Sequence, residues 1–167
     1  MAATLASNLD LTLRGTYANV LDLLTASANF SVGKSDEMSN GTGAVDTSDL
    51  LFTDTRTLAT TSESLDLAGG LTDSFGNALT FARVKCLLIH NKSTTVGQTV
   101  TIGGAASNQF LLFADATDKY VLGPNGIFLF WEPSAAGKVV TASTGDLLKI
   151  ETSASISYDI VIIGSSA

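Results

Sequence analysis

Apolar and polar residues alternate along much of this chain with a period of two. Leu9, Leu11 and Leu13 fall on one face of an extended segment, with Asp10, Thr12 and Arg14 on the other. The same alternation runs through 28–33, ending at Gly33. It returns in 52–60 and in 64–68, where Gly69 and Gly70 stop it. Segment 20–24 reads either as strand or as a helical turn, and 71–77 as a tight turn reversed at Gly76 and Asn77. Further strands are expected at 81–90, 96–102, 110–113, 127–131, 138–140, 147–150 and 158–163. No 18-residue window keeps a helical period. Short strands with turn signals at roughly 8–12-residue spacing predict an all-β chain, an antiparallel β-sandwich of jelly-roll-like form.

Two segments break the alternation. Phe110, Leu111, Leu112 and Phe113 are apolar at every position, as are Ile127, Phe128, Leu129, Phe130 and Trp131. Successive strand residues point to opposite faces, so both faces of these segments need cover. That pattern makes the nine residues a candidate subunit interface and predicts a homo-oligomer.

The N-terminal residues 1–15 read as an attachment arm or as an ordinary first strand, ahead of a single domain over 16–167. Leu5, Leu9, Leu11 and Leu13 would give such an arm one apolar face, and Gly15 could act as its hinge. An arm of this kind can add a strand to a neighbouring sheet edge. Residues 35–49 are the most polar stretch and are expected to form an exposed acidic loop, with a turn at Asn40 and Gly41.

Composition narrows the function. Charged residues make up 15% of the 167, well below the roughly 25% of an ordinary soluble domain. The 18 serines and 21 threonines against two prolines suit strands and turns. A net charge of −7 with scattered single basic residues argues against nucleic acid as a partner. The longest apolar runs span about five residues, where a membrane helix needs about 20. The N-terminus lacks a basic, apolar leader pattern, so synthesis in a cytosol is expected.

Candidate chemistry is sparse. The lone Cys86 cannot form an internal disulfide and reads as a small buried hydrophobe. The lone His90 reads as a hydrogen-bonded strand-end residue; four strand residues separate it from Cys86 by about 13 Å, too far for a dyad. Two Cys and His residues in total do not make a zinc site. A calcium loop starting at Asp36 would place Met38 and Thr47 where carboxylates are wanted. Sixteen acidic residues allow many carboxylate pairs, yet a sugar platform usually also exposes aromatics, and the single Trp131 sits inside an apolar run. No catalytic, metal or cofactor-binding residue is assigned, and the expectation is a protein without enzymatic activity.

Segments 51–60, 64–77, 79–85 and 158–164 carry a resemblance in strand-and-turn texture. Across residues 50–167 the chain resembles small β-rich virion proteins of tailed bacteriophages, and within these it is similar to head-decoration, or capsid cement, proteins. The resemblance implies a jelly-roll-like sandwich, often trimeric, on the capsid exterior, with the major capsid protein as partner. The alternative implied by related sandwiches is a receptor- or glycan-binding module of a tail or fibre.

Overall fold

A computed structural model describes residues 4–59 and 61–167. Thr60, counted above at the end of a strand, and residues 1–3 of the expected arm lie outside the described residues. The chain is all-β, as the alternation predicts. Its strands are β1 (Ser7–Val20), β2 (Thr25–Asn40), β3 (Thr47–Ser48), β4 (Leu50–Ala59), β5 (Ser62–Asp66), β6 (Leu71–Thr72) and β7 (Ala78–Leu79). They continue with β8 (Arg83–Asn91), β9 (Val100–Gly103), β10 (Lys119–Leu122), β11 (Ile127–Trp131), β12 (Lys138–Val139), β13 (Leu147–Thr152) and β14 (Ser155–Ser165).

Two antiparallel sheets form the body. One has the order β11-β8-β14-β4, with β12 also on β8; the other runs β10-β9-β13-β5. They share one apolar core. Ile156, Tyr158, Ile160 and Ile162 of β14 and Leu87 and Ile89 of β8 meet Leu65, Val100, Ile102, Leu148 and Ile150 of the other sheet. Each such side chain contributes about 1.5–3 kcal/mol on leaving water. The alternation of β14 is nearly complete, with Ser157 and Asp159 on its outer side. A small hairpin, β6 with β7, turns at Asp73–Asn77, where Gly76 has a φ of 84°.

The third assembly is a long two-stranded ribbon. β1 and β2 pair antiparallel from Ser7↔Met38 to Val20↔Thr25, and β3 joins β2 in parallel over two residues. Residues 21–24, left open between strand and turn, form the ribbon's tip, closed by the Leu21 amide on the Leu24 carbonyl at 2.8 Å. β1 runs unbroken through Gly15.

Four expectations need correction. The strand expected to end at Gly33 continues to Asn40, so 35–49 is not one exposed loop. Met38 within it is buried, and only Gly41–Asp46 turns. Residues 110–113 are not a strand; Phe110 and Leu112 reach the core from an irregular segment. The strand expected from residue 96 begins only at Val100, leaving Val96 in solvent. Finally, β10 was not anticipated, because Lys119–Leu122 is an edge strand whose first three residues are exposed.

Candidate interaction surface

The register of the ribbon sorts its residues into two faces. Residues directly opposite share a face, so Leu9, Leu11, Leu13, Gly15 and Tyr17 lie with Asp36, Lys34, Val32, Phe30 and Ala28. The other face carries Asn8, Asp10, Thr12, Arg14 and Thr16 against Glu37, Ser35, Gly33, Ser31 and Asn29. One face is apolar and the other polar, as the alternation in 9–14 predicts. At Gly15 the end of the half-exposed Phe30 ring takes the place a Cβ would have.

At its base the ribbon is fixed to the body. The outer face of the larger sheet is apolar only at one end, where Cys86, Ile163, Leu51, Leu129, Trp131 and Val161 gather. Met38, continuing the apolar face of the ribbon, covers this patch and is 1% exposed. The Trp131 indole nitrogen donates to Asp36 Oδ2 at 2.9 Å. Asp36 also pairs with Lys34 at 2.7 Å, and these bonds, Lys34 first, hold its carboxyl below the ordinary 3.8.

A β-bulge supplies the other tie. Ile163 pairs with Cys86 and Gly164 with Val84, so Lys85 is the extra residue. The bulge sends the fully buried Lys85 outward, where Nζ donates to the carbonyls of Ala44 (2.7 Å) and Thr47 (2.8 Å). Burial pushes its pKa down from 10.5. A Cβ on Gly164 would collide with the Arg83 carbonyl oxygen, which explains a glycine inside the strand. The Asp46 amide donates to the Pro133 carbonyl at 2.8 Å, closing the β2–β3 turn onto the body.

Beyond this base the ribbon is in water. Leu11, Leu13, Tyr17, Phe30 and Val32 are all at least half exposed, and so are Val20, Leu23 and Leu24 near the tip. Leu5 does not belong to this face. It precedes β1, packs half-buried beside Met38, and its amide donates to Asn40 Oδ1 at 2.9 Å.

The nine residues of the expected subunit interface are placed differently. Phe128 and Phe130 pack against the main core, and Leu129 and Trp131 against the patch covered by Met38. The chain's own ribbon base therefore covers the second face of β11. Phe113 meets Phe128 edge to face at 6.0 Å. Of the nine, only Leu111 and Ile127 are half exposed or more.

Two polar clusters of the body, around Glu63 and around Asp159, are satisfied by their own members. Arg56 Nε meets both oxygens of Glu63, at 2.9 and 2.8 Å, and Tyr158 donates to Glu63 at 2.5 Å. Burial works against the Glu63 charge, but the Arg56 and Tyr158 bonds outweigh it and keep the carboxyl below its ordinary range. His90 Nδ1 lies 3.4 Å from Asp159, and Nε2 lies 3.5 Å from the amide oxygen of Asn125. Neither of these two contacts of His90 is to a hydroxyl or thiol. Burial pushes the Cys86 thiol up to about 11, leaving it without thiolate character at neutral pH. Among the described residues no group of three or more His, Cys, Asp or Glu side chains could hold a metal. Among the described residues no helix is long and apolar enough to cross a membrane.

Lys85, Asp36 and Met38 were missed in the sequence. Met38 had a signal: it keeps the parity of Phe30 and Val32 through the polar stretch. Lys85 had another, a lone charge inside an apolar strand. Comparison with family models, curated proteins and solved structures gives no match.

Proposed function

We propose that this protein is a structural component of a tailed-bacteriophage virion. It decorates and stabilises the capsid by binding the outer surface of the major capsid protein lattice, as a homotrimer with a jelly-roll-like sandwich body. The observation that carries the reading is the ribbon: a long apolar face held rigidly at its base and left in water beyond it. An isolated two-stranded ribbon is marginal in water, so such a face is built for assembly rather than chemistry. The satisfied polar clusters and the unreactive Cys86 support the same reading. A net charge of −7 suits the outside of a shell and would be repelled by packaged DNA.

The test is to probe DNA-filled heads from a host in which tails are not made. A decoration protein is present on these heads at a copy number matching the lattice, and a reconstruction shows it outside the shell. Absence from tailless heads with presence on complete particles would replace this reading with the tail or fibre module.

A further inference from the structure

We infer that the apolar face of the β1–β2 ribbon is the contact between copies of this chain, the ribbons of neighbouring copies lying face to face about a shared symmetry axis. The inference rests on the oligomeric part of the proposed function. It places the contact at Leu11, Leu13, Tyr17, Phe30 and Val32 rather than at 110–113 or 127–131.

Three observations identify a second copy as the occupant. The first is continuity. The face that Met38 buries against Cys86 and Ile163 is the same face that runs out to Tyr17. The ribbon already packs by this face where the body underlies it and lacks a partner only further on.

The second is charge. Each copy carries −7, so most pairings of two copies bring like charges together. From Leu9 to Tyr17 and from Ala28 to Asp36 the apolar face holds only Lys34 and Asp36 as charges, 2.7 Å apart and cancelling. The opposite face carries Asp10, Arg14 and Glu37, a net negative set. The neutral face is the one on which two copies can meet without repulsion.

The third is area. The five residues Leu11, Leu13, Tyr17, Phe30 and Val32 of this face, each 50–76% exposed, put on the order of 600 Å² of residue surface in water. That is the upper end of the largest patch on an ordinary monomer, about 300–600 Å², where such patches are often functional, and it approaches the roughly 800 Å² per partner of a standard interface.

The test uses the full chain. Sedimentation of the wild type at tens of micromolar should show an oligomer, and Leu13→Asp with Val32→Asp should show a monomer. Trp131 emission unchanged from wild type will confirm that the ribbon base remains docked in that variant. Ile127→Asp should stay oligomeric. A monomeric wild type, an oligomeric double variant, or a monomer created by Ile127→Asp would each overturn the inference.

Cross-linking supplies a test that does not depend on destabilising the ribbon. Under mild oxidation, Leu13→Cys on the apolar face should give a covalent dimer in high yield, and Thr12→Cys on the polar face should not. The buried Cys86 stays silent in both. Equal yields, or cross-linking only through residue 12, would sink the arrangement. Binding to heads is scored separately. A wild-type oligomer that ignores heads overturns the capsid reading alone, and a wild-type monomer that binds them overturns this inference alone.

Discussion

The Trp131 indole donates a 2.9 Å hydrogen bond to Asp36, joining residues 95 positions apart. Trp131 ends a strand of the body, and Asp36 lies on the apolar face of the ribbon two residues before Met38. The bond therefore sits where the ribbon leaves the body, and it sets the direction in which the exposed face continues.

That bond should be lost in acid. The Asp36 carboxyl is held below its ordinary 3.8 first by Lys34 and then by Trp131. A depressed folded-state pKa stabilises above the unfolded value, and the contribution disappears as pH falls through the folded value. Trp131 emission is expected to stay constant as pH falls to the ordinary carboxylate value of 3.8 and to shift red only below it. Asp36→Asn should flatten the shift; a shift that persists in this variant would assign it to another group.

Lys85→Met tests the second tie. It leaves the Ala44 and Thr47 carbonyls without their buried donor, which costs about 3 kcal/mol. The expected fall in Tm, measured by calorimetry, is roughly 6–12 °C for a chain of this size. A fall of under about 2 °C would mean that water replaces the ammonium there.

Gly164→Ala tests the bulge from the other side. The new methyl group meets the Arg83 carbonyl oxygen, which belongs to the backbone and cannot swing away. A loss of about 3 kcal/mol in denaturant unfolding is expected. Unchanged stability would show that the bulge relaxes at little cost.

The ribbon should be separable from the body. Leu11 and Lys34 are directly opposite, so an Asn-Gly pair can join them in place of residues 12–33. None of the removed residues belongs to the main core. The shortened chain is expected to keep its Tm within about 2 °C in the absence of association, because no core burial is lost. It should sediment as a monomer. An insoluble product would place part of the body's stability in the distal ribbon.

Alternation was enough to make several strands legible. In β4, β5, β13 and β14 the side chains take sides by position alone, and burial of one side is a local property of the pattern; β11 is legible instead as an unbroken apolar run. Segment 110–113 misled for a related reason. Apolar residues at every position suit a two-sided strand, yet they suit equally an irregular segment tucked beneath a sheet edge. Residues 35–40 misled in the opposite sense, because β2 stays paired there through backbone bonds that polar side chains do not oppose.

The sequence by itself determined the all-β class, the two faces of Leu9–Arg14, and the absence of a local Cys–His or metal-binding pattern. These follow from composition and from a period of two, which act between neighbours along the chain. Only the tertiary structure decided that residues 7–40 form one ribbon, that Met38 packs over the patch of Leu129 and Trp131, and that Lys85 locks the turn at Ala44–Thr47. Each of these joins residues tens of positions apart, and the bulge at Lys85 that aims one of them is a property of strand register, which no single strand carries in its own sequence.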